Sequence, residues 1–233
     1  MVTIYRFDER MNSAGDWGMS SETFYASEQE KYLGFGNLVQ LSRTVLNPGS
    51  GTSGMKLHRN LELVDIILSG TVGYQDSFGG FSNFPENTLQ VVSAGKGIFQ
   101  AEFNPGTTEA EKIQIGFLPN SLNKTPVKTK GLFDLTSSKN SLLELVSPNN
   151  QHSLSVRQTA AVLLGEFDEN KHIGYTLNRE TVGLFVHVVS GVVTMNSEIL
   201  RRGDSAGIIQ EEQTLFHTAE PTVLLVIEVS MND

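Results

Sequence analysis

Short apolar segments separated by turn residues constrain this chain more than any other feature of its sequence. Runs rich in valine, isoleucine, leucine, phenylalanine and threonine recur at strand length, and clusters of turn-forming residues lie between them, as at 47–51, 77–80 and 148–150. Helical periodicity is scarce, and the one helix that the pattern predicts is short and lies at 107–111. Many short strands at this spacing favour a sandwich or a barrel. We therefore predict an all-β protein.

An internal similarity indicates two related domains. Residues 63–72 align with residues 184–193, because in each segment an apolar strand runs through Ser-Gly into a second strand. The tripeptide Ser-Ala-Gly then recurs in the same order, at 93–95 and 205–207. Chance likeness between β segments is the alternative, but two matches in one order favour duplication. The polar stretch 120–130 is the predicted connection.

Composition excludes several classes of function. The 233 residues include no cysteine, so no disulfide, zinc ribbon or thiol nucleophile is expected. A formal net charge of −9 argues against direct binding of nucleic acid, whereas a protein partner remains open. We find no apolar segment with the length of a signal-peptide core or a membrane span. The expected protein is cytoplasmic and does not bind a membrane.

Side chains that suit metal chemistry concentrate in two segments, residues 56–62 and 93–105. If both segments are extended, alternation puts Lys56, His58 and Glu62 on one face of the first, and Gln100 and Glu102 on one face of the second. A barrel would bring these faces to one interior point, where imidazole and carboxylate form a site for a first-row metal. Without this pattern, His58 would be interpreted as a core histidine and Lys56 as a solvated side chain.

The same segments resemble the pirin-type bicupins, a branch of the cupin superfamily. The resemblance rests on an ordered set of motifs at 58–62, 70–77, 93–98 and 102–105, extends back to 33–36, and continues more weakly through the second half. No single motif is specific, but their ordered combination is.

Membership of that family implies two jelly-roll (cupin) β-barrels in one chain, which we place at residues 1–131 and 132–233. It also implies a metal in the first barrel and none in the second. Some bacterial members act as quercetin 2,3-dioxygenases, and eukaryotic members are described as transcriptional cofactors.

The ligand set departs from the family pattern. The family has His-x-His in the first motif and His-x-Glu in the second, where this chain has Lys56, His58, Gln100 and Glu102. A protonated lysine offers no lone pair, and an amide oxygen is a weak ligand for iron, nickel or copper. We therefore expect a degenerate site with Glu62 as an auxiliary group, and no cofactor is required. Any cofactor would be one divalent transition metal (Fe, Ni, Cu or Zn) at His58 and Glu102.

Loss of the metal would leave the carboxylate of Glu102 buried without compensation, which is costly. Lys56 is the substitution that adds a positive charge to the ligand set. We therefore predict that its ammonium lies within salt-bridge reach of Glu102 or Glu62, with His58 and Gln100 completing a polar cluster.

The second half lacks corresponding ligands. The positions that match Lys56, His58 and Glu62 are Leu177, Arg179 and Gly183. The other histidines are His187 and His217, expected among apolar residues, and His152 and His172, expected in solvated loops.

Two functions follow from the resemblance and its departures. The first is a bicupin with a degenerate site that binds a small aromatic ligand in its first barrel, or a protein partner, with weak or no dioxygenase activity. The alternative is a metal-dependent quercetin 2,3-dioxygenase that acts on flavonol-like aromatics with His58 and Glu102 at the metal.

Overall fold

The computed structural model describes residues 1–24, 33–147, 153–177, 182–211 and 213–231. Strands make up 59% of the structure and helices 3%. The prediction of an all-β protein is therefore confirmed, while the predicted helix at 107–111 is wrong. Residues 106–108 form a bend and a strand begins at Ala110, because Pro105 and Gly106, directly before the segment, favour a turn over a helix.

The described strands of the first half, and the strand that precedes them, are β1 (Val2–Tyr5), β2 (Met11–Gly15), β3 (Gly18–Glu22), β4 (Leu38–Leu46), β5 (Lys56–His58), β6 (Glu62–Ser69), β7 (Thr71–Asp76), β8 (Phe81–Pro85), β9 (Thr88–Ser93), β10 (Ile98–Phe103), β11 (Ala110–Phe117) and β12 (Val127–Leu132).

The described strands of the second half are β13 (Leu143–Val146), β14 (Ala160–Phe167), β15 (His172–Thr176), β16 (Val182–Ser190), β17 (Val192–Met195), β18 (Glu198–Arg201), β19 (Ser205–Ile208), β20 (Gln213–Thr218) and β21 (Thr222–Ser230). Single 3-10 turns lie at Phe7–Glu9 and Thr136–Ser138. Within the described ranges, neither helix is long or apolar enough to cross a membrane.

These strands form two jelly-roll barrels of the cupin type, as predicted. The first barrel pairs a seven-stranded sheet, ordered β12-β9-β6-β11-β4-β3-β2, with a four-stranded sheet, ordered β5-β10-β7-β8. The second pairs a six-stranded sheet, β1-β19-β16-β21-β14-β13, with a four-stranded sheet, β15-β20-β17-β18.

Two glycines explain the internal repeat. Gly70 joins β6 to β7 and Gly191 joins β16 to β17, so each is the one-residue corner at which the chain passes between the two sheets of a barrel. Both have positive φ angles, 70° and 87°. A Cβ atom on Gly70 would lie 2.5 Å from the carbonyl oxygen of Glu109. Glycine is therefore required at these corners both by backbone conformation and by space.

The large sheets of the two barrels pack against each other and form the main apolar core. The buried cluster between them takes side chains from both halves, among them Val64, Ile66, Ile113, Ile115, Phe185, Leu225 and Ile227. The interior of the second barrel is a separate apolar cluster that includes Phe167, Val186, Val193, Met195, Phe216 and Leu224. The second barrel is thus filled by its own side chains.

The first barrel differs because one face of its large sheet is polar. On β11, Ile113 and Ile115 face the core between the barrels, whereas Lys112 and Gln114 alternate with them and line a cavity inside the first barrel. Alternation along the strand therefore puts apolar side chains on the face toward the core and polar side chains on the face toward the cavity.

The predicted domain boundary between residues 131 and 132 does not hold for the N-terminal strand. β1 pairs with β19 and belongs to the second barrel. The predicted connection 120–130 also overlaps β12, which pairs with β9 as an edge strand of the first barrel. Short strands that complete a distant sheet carry little periodicity of their own, which is why the sequence did not reveal these two.

Candidate functional site in the first barrel

The four-stranded sheet gathers the predicted ligand positions on one face. Lys56 of β5 lies directly opposite Gln100 of β10, and His58 lies opposite Ile98. On the other side of β10, Glu102 lies opposite Tyr74 of β7. Residues directly opposite in an antiparallel pair share a face, and alternation along β10 puts Gln100 and Glu102 on that same face. Lys56, His58, Gln100 and Glu102 all line the cavity of the first barrel.

A cation from the opposite sheet already occupies this face. Lys112 of β11 is 2% exposed, and its Nζ lies 2.5 Å from Oε1 of Glu102 and 3.0 Å from Oδ1 of Asp65. Burial lowers the pKa of Lys112, but the charges of the two carboxylates and the hydrogen bonds donated to them outweigh this effect. The pKa therefore lies above its ordinary value, and Lys112 is an ammonium that bridges the two sheets.

Side-chain amides hold the deeper carboxylate in place. Asp65 accepts hydrogen bonds from Nε2 of Gln114 at 2.8 Å and from Nε2 of Gln90 at 3.3 Å. Gln40 in turn donates to Oε1 of Gln114 at 2.7 Å. A buried charge is tolerated when it is both paired and hydrogen-bonded. These contacts give the ion-pair cluster, Lys112 with Asp65 and Glu102, a fixed geometry.

Tyr74 borders the same cluster on the side of the four-stranded sheet. Its ring centroid lies 5.3 Å from Nζ of Lys112. Burial raises the pKa of Tyr74 well above its ordinary value, and the negative charges of Asp65 and Glu102 add to the effect. Tyr74 is therefore a neutral neighbour of Lys112 and does not serve as a base.

His58 is a buried, neutral imidazole. Burial lowers its pKa to about 4, and the positive charge of Lys56 contributes to the shift. A neutral imidazole carries one N–H donor and one nitrogen acceptor. His58 therefore offers a ligand one hydrogen bond of each kind.

Gln100 presents an acceptor that lacks a partner. The side chain is 3% exposed, and its Oε1 is buried without a hydrogen bond from any residue in the described ranges. Most buried side-chain polar atoms do have a partner, and an exception in a cavity calls for a ligand or an ordered water. Oε1 of Gln100 is thus an acceptor in the site to which a ligand can donate a hydrogen bond.

The prediction that Lys56 replaces the metal is wrong. Lys56 is exposed, and it makes no ion pair with a carboxylate of the described residues. β5 is an edge strand of three residues at the mouth of the cavity, so Lys56 reaches solvent at low cost. Lys112 provides the buried positive charge instead. Its signal in the sequence was the alternation of Lys112 and Gln114 with two isoleucines.

Glu62 does not lie at the cavity. Its carboxylate is buried on the opposite face of the large sheet, where Oε2 accepts hydrogen bonds from Oγ of Ser93 at 2.5 Å and from the backbone N–H of Arg157 at 3.0 Å. The alternation that begins on β5 does not continue onto β6, because the chain turns at Asn60, whose φ is 50°. Glu62 therefore joins the two halves of the chain and is not an auxiliary ligand.

These side chains surround a cavity of about 380 Å³. Hydroxyl groups from the large sheet and from the loop before β5 form much of its wall, namely those of Ser13, Ser20, Ser42, Thr44, Thr52 and Ser53. Among the described residues that line the cavity, Trp17 is the one aromatic side chain apart from the imidazole of His58. Polar residues therefore make up most of the cavity wall.

The donor set does not fit a tightly held transition metal. In the part of the chain that the structure describes, no group of three or more His, Asp or Glu side chains is placed to hold a metal ion. His58 is the one imidazole at the cavity, and the carboxylate of Glu102 already binds the ammonium of Lys112. Transition metals select sites by ligand number, type and geometry, which this set does not supply.

The second barrel offers no comparable site among its described residues. Leu177 and Gly183 carry no ligand group, and Arg179 and His152 lie outside the described residues. His172 is exposed as expected, but it lies on β15 and not in a loop, opposite His217 with 4.7 Å between ring centroids. His187 is not in purely apolar surroundings, since its Nδ1 lies 2.9 Å from Oγ of Ser205 and 3.2 Å from Nη2 of Arg10.

Family models match both halves of the chain. The model described as pirin matches residues 11–116, and that of the quercetinase C-terminal cupin domain matches residues 144–229. Among similar proteins, a quercetin 2,3-dioxygenase of Escherichia coli (strain K12) is 28% identical and aligns over 98% of this chain and 99% of its own length. A pirin-like protein of Caulobacter vibrioides is 26% identical over 74% of this chain and 75% of its own length.

Solved structures show the same fold over the whole chain. A crystal structure of YhhW from Escherichia coli has a TM-score of 0.89 at 26% identity and covers 98% of this chain and 97% of that one. A second, of the bacterial pirin YhhW in complex with nickel(II), also has a TM-score of 0.89, at 25% identity, and covers 99% of both chains.

Proposed function

This chain is a pirin-like bicupin, and we propose that its first barrel binds a small molecule without a resident metal, with weak or no quercetin 2,3-dioxygenase activity. The observation that carries the proposal is the position of Lys112. Its ammonium binds Glu102, the one carboxylate among the four positions that the family uses for metal ligands. An ammonium and a divalent cation bound to one carboxylate would repel each other.

The cavity supports ligand binding in preference to a protein interface. It is enclosed by both sheets of the first barrel, and it holds a buried acceptor, Oε1 of Gln100, that no described residue satisfies. The second barrel, by contrast, has an interior filled with apolar side chains. Small molecules bind in concave sites where a few polar groups converge, and in this chain that description applies to the first barrel.

Each polar group of the site has a role in such binding. His58 gives one hydrogen-bond donor and one acceptor, because burial keeps its imidazole neutral. Gln100 gives an acceptor, and Lys112 holds Glu102 and Asp65 so that the wall keeps its shape. None of these roles needs a metal.

A metal-dependent dioxygenase is the competing function. The neutral imidazole of His58 near Glu102 favours it, as does the likeness to a protein named quercetin 2,3-dioxygenase and to YhhW in complex with nickel(II). A redox metal would supply the activation of dioxygen if it were bound. Lys112 would then have to leave Glu102.

Metal content and flavonol cleavage test the two functions together. Protein purified without chelator, from medium supplied with iron, nickel, copper and zinc, should hold well below one metal per chain and should bleach quercetin slowly or not at all. One metal per chain with rapid oxygen uptake on quercetin would overturn the proposal. Two matched variants serve as controls. His58→Asn should lower the content of any metal bound in the cavity. His172→Gln, which removes an imidazole from the surface pair with His217, should leave that content unchanged.

Rebuilding the family ligand set gives a second test. The double variant Lys56→His with Gln100→His should gain metal affinity, and adding Lys112→Met should raise it further because Glu102 is then released. If the triple variant folds and binds no more metal than the double variant, then Lys112 is not what excludes the metal.

A further inference from the structure

The chemistry of the cavity wall identifies a class of ligand. Hydroxyl and amide groups predominate in the wall, and none of the described residues that line it is Val, Leu, Ile or Met. Pockets for drug-like or flat aromatic molecules are mostly apolar, with only a few polar groups. An aromatic ligand of the flavonol type would leave many of these hydroxyls and amides facing ring carbon. Each polar group left without a hydrogen bond would cost about 1–3 kcal/mol of binding free energy.

The charges that line the cavity are nearly balanced. The ion-pair cluster of Lys112 with Asp65 and Glu102 has one net negative charge, and His58 is neutral. Among the described residues that line the cavity, the other charges are Lys56 and Glu22, which are of opposite sign. A phosphate or another strongly anionic ligand would need an excess of positive charge that this wall does not provide. The charge balance therefore favours a neutral ligand.

The wall also requires donors. Oε1 of Gln100 is buried and has no partner among the described residues, so a ligand that occupies the cavity should bring a hydrogen-bond donor to that atom. An aliphatic hydroxyl suits this position because it donates to Gln100 and still accepts from a neighbouring serine or threonine. A ligand with hydroxyls on several faces would satisfy the wall on all sides.

Trp17 supplies a single aromatic surface. It is partly buried, since its indole packs against the apolar cluster formed by Leu46, Ile67 and Val72, and it also lines the cavity. An indole offers a flat apolar face on which the C–H groups of a saturated ring can stack. One such face beside many hydroxyls is suited to a ring that is apolar on its faces and polar around its edge.

We propose that the first-barrel cavity binds a neutral polyhydroxylated aliphatic ring, a monosaccharide, a disaccharide or a cyclitol, stacked on Trp17 and hydrogen-bonded to Gln100. This proposal rests on the proposed metal-free binding function and narrows its ligand class. It replaces the small aromatic ligand that the resemblance implied.

Trp17 makes the proposal directly measurable, because it is the only tryptophan in the chain. Titration with glucose, myo-inositol, sucrose and trehalose, each up to about 10 mM, should give a saturable change in tryptophan fluorescence with at least one of them. Calorimetry should give the same affinity, and quercetin should bind more weakly by calorimetry. Trp17→Phe should remove the fluorescence signal.

Two variants locate the binding. Gln100→Leu should weaken binding of the active probe roughly tenfold, because the hydrogen bond to Oε1 is lost. Ser42→Ala, which removes a hydroxyl without adding bulk, should weaken it less. The matched control Gln213→Leu, at an exposed position of β20 in the second barrel, should leave the affinity unchanged.

Three outcomes overturn the inference. The first is no saturable response to any of the four probes, the second is tighter binding of quercetin than of every probe, and the third is binding that Gln100→Leu and Ser42→Ala leave unchanged. Tight quercetin binding to metal-free protein would leave the proposed function intact, whereas stoichiometric metal in the purified protein would overturn the proposed function itself. The two failures are therefore distinguishable.

Discussion

Replacement of Lys112 by methionine is the sharpest test of the ion-pair cluster. Methionine keeps most of the side-chain volume and removes the ammonium that Asp65 and Glu102 share. Removing one partner of a buried pair costs about 3–5 kcal/mol, because the remaining charge is buried without compensation. Glu102 keeps 14% of its side-chain surface exposed and Asp65 only 1%, so most of the cost should arise at Asp65.

The expected loss is large enough to measure by thermal and chemical unfolding. For a chain of this size, about 3–5 kcal/mol corresponds to a Tm lower by about 6–20 °C. The double variant Lys112→Met with Asp65→Asn should recover part of this loss, because the second change removes the uncompensated charge. Lys139→Met is the control, since Lys139 forms an exposed pair with Asp168 and its removal should hardly change Tm.

The pH dependence has a defined sign. In the wild type, the pKa of Lys112 is raised above its ordinary value of 10.5. Its contribution to stability is therefore complete below the unfolded-state pKa and is lost as pH rises through the folded-state pKa. A variant as stable as wild type at pH 7, or a double variant no more stable than the single one, would refute the ion-pair reasoning.

Three further changes have expected outcomes. Glu62→Ala should lower the free energy of unfolding by about 1–3 kcal/mol in urea titrations, because Ser93 and the backbone of Arg157 lose their acceptor; an unchanged midpoint would contradict this. The pKa of His58 is lowered from 6.5 to about 4, so wild-type stability should fall as pH drops through that window, and His58→Asn should flatten this part of the profile. Gly70→Ala should destabilise by at least about 1–2 kcal/mol, since its Cβ meets the carbonyl of Glu109 at a positive φ; a neutral effect on Tm would show that the corner is adaptable.

The sequence was informative where a pattern is local. The alternation that puts Gln100 and Glu102 on one face lies within β10, and the Ser-Gly corners at Gly70 and Gly191 are local in the same way. Both features depend on the backbone of one short segment, so the residues alone are enough to predict them. The fold itself followed from the ordered motifs of a known family.

The error over Lys56 arose from long-range geometry. Lys112 reaches Glu102 across the barrel from the other sheet, although only ten residues separate them along the chain. Alternation of Lys112 and Gln114 with isoleucines would ordinarily indicate a solvated face. Here both faces of β11 are enclosed, one by the second barrel and one by the cavity wall. The sequence showed which face of β11 is polar. It did not show that this face lines a cavity.

Glu62 shows the same limit in another form. The three residues between β5 and β6 reverse which face the next strand presents, and the positive φ of Asn60 marks that change. Asparagine tolerates this conformation, but it does not require it. The number of residues between two side chains on either side of a turn therefore does not by itself determine whether they share a face.

The pairing of β1 with β19 means that the two barrels are not separable modules. A fragment that begins at residue 132 would lack Val2–Tyr5 and would leave the backbone groups of Ser205–Ile208 without partners along one edge. A free edge recruits strands from other molecules, so such a fragment should self-associate where the intact chain does not expose that edge. A protein engineer who transplants, duplicates or exchanges the second barrel therefore has to include β1, which precedes the first barrel in the sequence.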